Sequence, residues 1–334
     1  MPDLAPLALT CGEPAGIGAE IALKAWIERG EHSPRFVLLD QPARLARLAE
    51  RLSLNVPLAQ VGSLAEVDAQ LFAEALPVLP LEAPIHGEAG RVDEADAPAI
   101  VESITRAVRL AQAGEVAAVV TNPIRKQSLK AVGLDHPGHT EFLAALAGGG
   151  ARSVMMLASP RLRVTLVTVH VPLAAVPGLL SVPAILEVAR ATARALRQDF
   201  AIAAPRLAVI GLNPHAGESG LLGREEIEII APAIATLRAE GIDAFGPVPP
   251  DAAFHAAARN RYDAAICMYH DQGLIPLKTL DFDEGVNVTL NLPFVRTSPD
   301  HGTALDIAGT GKANPQSLMS ALAMAAAMAK ARAA

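Results

Sequence analysis

The feature that most constrains the fold of this chain is the alternation of short apolar runs with longer segments of helical period. The runs are 7–11 (LALTC), 36–39 (FVLL), 116–121 (VAAVVT), 153–158 (SVMMLA), 164–169 (VTLVTV), 206–212 (RLAVIGL), 263–269 (DAAICMY) and 286–290 (VNVTL). They are rich in Val, Ile and Leu and lack polar alternation, which predicts strands covered on both sheet faces. Between them lie segments such as 94–113, which sets Ile100, Ile104, Val108 and Ala111 on one face with Gly114 just past its end. The last segment, 315–332, is rich in Ala and Met and predicts a packed terminal helix. Strand–helix alternation points to a mostly parallel, doubly wound α/β architecture.

A chain of 334 residues is long enough for about two such domains, or one large one. With 51% apolar and 19% charged residues it is not a disordered chain. Lys plus Arg number 28 against 35 Asp plus Glu, a net charge of -7 that argues against a nucleic-acid or anionic-membrane partner. The two cysteines, Cys11 and Cys267, exclude a disulfide framework and a zinc knuckle. The N-terminal stretch carries Asp3 and Glu13 and no basic, apolar leader pattern, so a cytoplasmic location is expected. Between Arg163 and Glu187 there is no charged residue, but Pro172, Pro177 and Pro183 would each break a membrane helix. That stretch reads as a buried strand, a loop and the start of a helix.

Two features carry chemistry near strand ends. The turn GEPAGIG (12–18) nearly reproduces a dinucleotide-binding G-x-G-x-x-G, with Asp40 at a plausible distance for a ribose contact. Ile21 stands where the third glycine belongs, and four residues separate the first strand from Gly16. A structural turn, a wall of an active site and a true nucleotide site all remain open on this basis. Second, His170, His215 and His270 each fall at or just past the C-terminal end of a buried run. That edge of a parallel sheet is where ligands bind, and neutral imidazoles suit zinc and related divalent cations. Glu218, Asp251 and Asp271 could orient the ring N–H groups, or be solvated loop acids. Lys278, Asn287 and Arg296 form a candidate anion reader, and His139 with Thr140 precedes another helical segment.

Six strings then make a pattern in order along the chain: GEPAGIG (12–18), TNPIRKQSL (121–129), GHTEF (138–142), GLNPHAGESG (211–220), MYHDQGLIPLK (268–278) and HGTALDIAGTGKANP (301–315). Together they resemble the 4-hydroxythreonine-4-phosphate dehydrogenase family of vitamin B6 biosynthesis, from about residue 7 to residue 325. Cys11 and Ala19 depart from the residues expected there and touch no site position. The resemblance implies NAD-dependent oxidation of 4-phosphooxy-L-threonine with loss of carbon dioxide to 3-amino-2-oxopropyl phosphate, assisted by zinc, magnesium or cobalt. Whether NADP replaces NAD stays open. It implies metal ligation by His170, His215 and His270, with His270 supplied by the partner of a homodimer. It places His139, Thr140, Lys278, Asn287 and Arg296 on the substrate.

The string 301–315 is also similar to the adenosine-side loop of isopropylmalate and isocitrate dehydrogenases. That moves NAD from the Gly16–Gly18 turn to His301, Gly302 and Asp306. The same analogy implies two α/β/α domains with the active site in their cleft. One comprises 1–125 plus 300–334; the other, 126–299, carries the metal and the dimer contacts. Asp251 is a candidate general base. A sister enzyme acting on threonate or erythronate 4-phosphate would use the same phosphate and metal residues. A metal-dependent hydrolase or lyase, or a phosphometabolite-binding protein, is a reading from another class.

Overall fold

The computed structural model describes residues 4–133, 139–148 and 152–334. Its strands are β1 (Leu7–Thr10), β2 (Phe36–Asp40), β3 (Leu58–Gln60), β4 (Leu76–Pro80), β5 (Val119–Val120), β6 (Val154–Ala158), β7 (Arg163–Leu166), β8 (Arg206–Ile210), β9 (Asp243–Val248), β10 (Ala264–Cys267), β11 (Val286–Leu290) and β12 (Arg296–Pro299). Every apolar run named above overlaps one of them. The chain divides into two compact units, Met1–Ser153 with Leu292–Ala333, and Val154–Asn291.

In the first unit the strand order is β3-β4-β2-β1-β5-β12, and every pairing is parallel. The helix Ala97–Gln112 turns Ile100, Ile104 and Val108 onto the core, starts with Pro98 in its first turn and stops before Gly114 at φ +73. The unit boundary falls at 153 and 292, where the family analogy placed it near 125 and 300. The reason is packing. Leu129, Phe142 and Leu143 join the same apolar cluster as Ile100 and Ile104, and so do Leu292 and Phe294. His139, Thr140 and Arg296 therefore belong to the first unit, not the second.

The second unit orders its strands β11-β6-β7-β10-β8-β9. β7, β10, β8 and β9 run parallel, while β6 is antiparallel to both of its neighbours. A buried cluster of Leu157, Val164, Leu166, Ile210 and Leu277 packs this unit. The charge-free stretch resolves into β7, a turn region and the helix Val182–Gln198, which Ser181 caps by accepting from the Ala184 N–H. Among the described residues no single helix is long and apolar enough to cross a membrane. Leu173–Leu179 and Val182–Gln198 reach that length only together, and they are bent by 94°.

The glycine turn is a packing device. An added Cβ would lie 2.8 Å from the Thr303 carbonyl oxygen at Gly16 and 2.9 Å from that of Cys11 at Gly18. At Gly12, where φ is +72, it would lie 2.6 Å from Asn122 Cβ. Asp40 is also committed elsewhere: it is fully buried and accepts from Arg44 Nη1 at 2.7 and 3.0 Å and from the Gln41 N–H. Burial pushes its pKa up against the opposing pull of Arg44. With its oxygens so occupied, it has little left to offer a ribose.

Candidate active site

β7 and β10 lie side by side in register, Leu166 opposite Cys267, and the ladder continues past the strands. The Val167 N–H donates to the Cys267 carbonyl and the Thr168 N–H to that of Met268. This brings His170 and His270 together, with ring centroids 5.6 Å apart. A metal–nitrogen bond of about 2.1 Å and a tetrahedral angle place two ligating rings roughly 5 Å apart. The pair thus fits one divalent cation. Asp271 Oδ1 sits 2.7 Å from His270 Nδ1. With the carboxylate accepting the Nδ1 proton, Nε2 presents its lone pair outward.

His215 comes from a different device. From His215 to Ser219 five consecutive residues have positive φ, 51°, 51°, 76°, 44° and 58°, a left-handed turn in which only Gly217 is glycine. Each L-residue in that region costs about 1–2 kcal/mol, so something must hold it. The holder is Glu226, a buried carboxylate absent from the sequence-derived candidates. It accepts from the Leu212 N–H at 2.8 Å, the Asn213 N–H at 2.7 Å and Asn213 Nδ2 at 2.9 Å. Its Oε2 fills the place a Cβ at Gly217 would need, 2.6 Å away. Gln272 then ties two strand ends together: Nε2 donates to the Gly211 carbonyl and Oε1 accepts from the Met268 N–H, each at 2.7 Å. Glu226→Gln would set an amide N–H₂ against donors only. The expected result is about 1–3 kcal/mol lost stability, read by denaturant titration. With it goes a weaker divalent-metal affinity, by about 10- to 100-fold, read by calorimetry on the metal-free protein.

His215 itself is exposed, with Glu218 Oε2 3.6 Å from its Nδ1. Among the described residues of one protomer, no three His, Cys, Asp or Glu side chains form a metal-binding group. Within one chain the rings brought together are those of His170 and His270, whereas the family resemblance pairs His170 with His215 and takes His270 from a partner. Asp251 is exposed on the helix Pro250–Ala253, which packs against the His215 turn, and it hydrogen-bonds none of the three histidines. Lys278 and Asn287 belong to the same unit and are half-buried; the Asn287 Oδ1 is sealed from solvent without a donor.

In the first unit a polar cluster gathers where the strand order turns, past β1 and β5. Arg296 opens β12 and is buried; its Nε and Nη2 donate to Thr121 Oγ1 at 3.2 and 2.7 Å. Burial pushes its pKa down to about 10, so it stays cationic at neutral pH. Ser128 Oγ donates to Glu13 Oε2 at 2.6 Å. Glu13 Oε1, Asn122 Oδ1 and His139 Nε2 are buried without partners, as a polar ligand's contact atoms would be before it binds. Thr140 is half-buried beside His139 at the start of the helix His139–Leu146.

Burial first, and then the Arg296 charge, drive the His139 pKa well below its ordinary 6.5. The folded chain therefore keeps His139 neutral while the unfolded chain protonates it near pH 6.5. Stability falls as pH drops below that value, by up to about 1.4 kcal/mol per unit from this group. His139→Gln is expected to flatten that slope in denaturant titrations between pH 5 and 7.

The loop 301–315 is pinned to the helix Gly18–Ile27. Glu20 accepts from the Gly309 and Ala313 N–H groups, and Lys24 Nζ donates to the Gly311 and Ala313 carbonyls, both at 2.7 Å. His301 Nε2 is sealed without a partner, a Cβ at Gly302 would meet nothing within 4 Å, and Asp306 is exposed. Open backbone and an unpartnered buried nitrogen suit a nucleotide-sized ligand.

A family model described as "Pyridoxal phosphate biosynthetic protein PdxA" matches residues 32–325. The chain belongs to the PdxA family. A 4-hydroxythreonine-4-phosphate dehydrogenase of Methylorubrum populi is 56% identical over 330 residues, spanning 97% of this chain and 94% of that protein. The crystal structure of a 4-hydroxythreonine-4-phosphate dehydrogenase from Klebsiella pneumoniae matches with a TM-score of 0.88 at 39% identity, covering 97% of this chain and 99% of that one. A terephthalate 1,2-cis-dihydrodiol dehydrogenase from Burkholderia xenovorans matches at TM-score 0.64 and 31% identity, covering 96% and 97%. PdxA membership makes the chain's role that of a dehydrogenase. The fold is the mostly parallel α/β fold of that family.

Proposed function

We propose that the chain oxidises 4-hydroxythreonine 4-phosphate (4-phosphooxy-L-threonine) at its C3 hydroxyl with NAD, and that loss of carbon dioxide gives 3-amino-2-oxopropyl phosphate. The observation that carries this is the His170–His270 pair with its Asp271 support, on the ligand-binding edge of a PdxA-family sheet. His170 and His270 would hold a divalent cation, which would supply Lewis-acid polarisation of the hydroxyl and of the decarboxylating carbon skeleton, and 301–315 would hold NAD, which would serve as hydride acceptor. Everything else falls to the chain's own groups.

Arg296 in the first unit offers a planar fork, and Lys278 in the second a point charge, each suited to a phosphate. His139 is neutral, so it can offer a hydrogen bond without adding charge beside Arg296. Thr121 and Thr140 supply hydroxyls, and Asn287 an amide. Binding energy from this remote phosphate is spent on orienting C3. The resemblance takes His270 from the partner of a homodimer; since His170 and His270 lie together among the described residues of one chain, we take His215 of a second copy as the third donor instead. Asp251 stays a candidate base, approaching from the helix beside the His215 turn.

One relative of this fold is named for a dihydrodiol substrate. Threonate and erythronate 4-phosphates, which carry a hydroxyl in place of the C2 amine, therefore belong in the same assay. NADH absorbance is followed with each substrate, with and without chelator. The expected result is turnover of 4-phosphooxy-L-threonine that chelator abolishes and added metal restores. Chelator-insensitive turnover, or no NADH from any of the three, overturns the reading.

A further inference from the structure

We infer that the second unit carries an oxyanion site, distinct from its histidine edge, built on Arg163 and Arg259 where β7, β8 and β10 begin. A cavity of about 470 Å³ opens there, lined by four arginines, Arg161, Arg163, Arg206 and Arg259, and by one carboxylate, Asp263. This volume lies within the roughly 300–1,000 Å³ of small-molecule pockets. Arg163 and Arg206 are the first residues of β7 and β8, and Asp263 directly precedes β10. The histidines follow the other ends of the same strands. A four-residue strand spans about 13 Å, which sets the two edges apart.

Two of the arginines are matched. Arg206 grips Asp263 through Nε at 3.2 Å and Nη2 at 3.0 Å, and its Nη1 donates to the Asn260 carbonyl. Arg161 pairs with Asp281. The other two are not. Among the described residues Arg259 pairs with no carboxylate; Nη1 donates to the Arg161 carbonyl at 3.2 Å, and Nε is sealed without an acceptor. Arg163 stacks over Phe200 at 4.9 Å, and its Nη1 reaches only the Asp263 carbonyl at 3.4 Å; its Nε is also sealed and unpaired. Desolvation holds the Arg163 pKa below the ordinary value despite the nearby Asp263 charge.

Arg259 pairs with no carboxylate among the described residues, and Arg163 shares the charge of an Asp263 that Arg206 already grips; two such half-buried guanidinium groups are costly unless an anion meets them. Their planar forks match phosphate geometry. The ligand class is a phosphate-type oxyanion, either a free polyphosphate or a small phosphate ester. This site does not depend on the proposed reaction.

The test is calorimetric titration of the full-length protein with inorganic phosphate, pyrophosphate and glycerol 3-phosphate. Parallel titrations use Arg259→Gln, Arg259→Lys and Arg296→Ala. Arg259→Gln is expected to weaken the tightest of the three at least tenfold, and Arg259→Lys to recover part of the loss. Arg296→Ala should leave that binding unchanged, and Arg259→Gln should keep wild-type NADH formation and thermal stability. Preference for the ester assigns a phosphorylated metabolite; preference for pyrophosphate assigns free polyphosphate. Equal affinity in Arg259→Gln, loss in Arg296→Ala alone, or no binding of any anion at millimolar concentration overturns the site.

Discussion

His270→Ala is expected to lower metal-dependent kcat/KM by about a thousandfold or more and to leave the fold intact. The activity loss follows from chemistry. The variant keeps His170 but has no ring 5.6 Å away to share a cation, and the partner carboxylate Asp271 is left without the imidazole it orients. Losing several kcal/mol of charge stabilisation at about 1.4 kcal/mol per factor of ten gives that size. The small stability effect follows from position. His270 is half-buried at the first residue of the helix His270–Leu280, where its side chain fills no core. A change within about 0.5 kcal/mol is the usual outcome for such a site. Kinetics at saturating zinc, magnesium and cobalt, beside a denaturant titration, separate the two effects. Activity within tenfold of the parent would remove His270 from the site, and the same holds for His215→Ala and His170→Ala.

Arg296→Ala is expected to raise KM for the phosphorylated substrate by about two to three orders of magnitude, with kcat changed far less. Charged hydrogen bonds are worth roughly 1.5–3 kcal/mol each, and a phosphate contact acts in ground and transition states alike. The same substitution frees Thr121 Oγ1, which accepts both Arg296 donors, and hollows a buried site. Some stability is lost with it, on the order of 2–4 kcal/mol for a large buried side chain. Arg296→Lys should recover little, because an ammonium cannot donate to Thr121 through two nitrogens of a planar fork while facing a phosphate. A fall in kcat with KM unchanged would move Arg296 from binding to the chemistry.

Much of this was legible in the chain, and the failures have identifiable causes. Eight apolar runs announced eight strands because parallel strands covered on both faces have no polar alternation to hide in. The four unannounced strands lacked that signature. β4 is bracketed by Pro77 and Pro80, β9 contains Gly246 and Pro247, β3 is three partly exposed residues, and β12 reads RTSP. The domain boundary near 125 failed because Leu129, Phe142 and Leu143 are too sparse along the chain to show which core they enter.

That His170, His215 and His270 follow strand ends was readable, because the strands themselves were. Glu226 was not, since a carboxylate in the acidic run GREEIEI gives no sign of which oxygen faces inward. Thr121 lay inside a quoted motif, but only folding sets its hydroxyl against Arg296. That the His170 and His270 rings come within 5.6 Å in one chain was equally invisible, because it depends on β7 and β10 being neighbours and not on sequence spacing.

That pairing is the claim on which the account rests, and mixed dimers test it directly. Inactive His170→Ala is unfolded and refolded together with inactive His215→Ala, and separately with inactive His270→Ala. If His170 and His270 serve one site and His215 reaches it from the partner, the first mixture regains about a quarter of parental NADH formation, one intact site in each mixed dimer. The second mixture regains none. Recovery in the second mixture and none in the first would contradict the account.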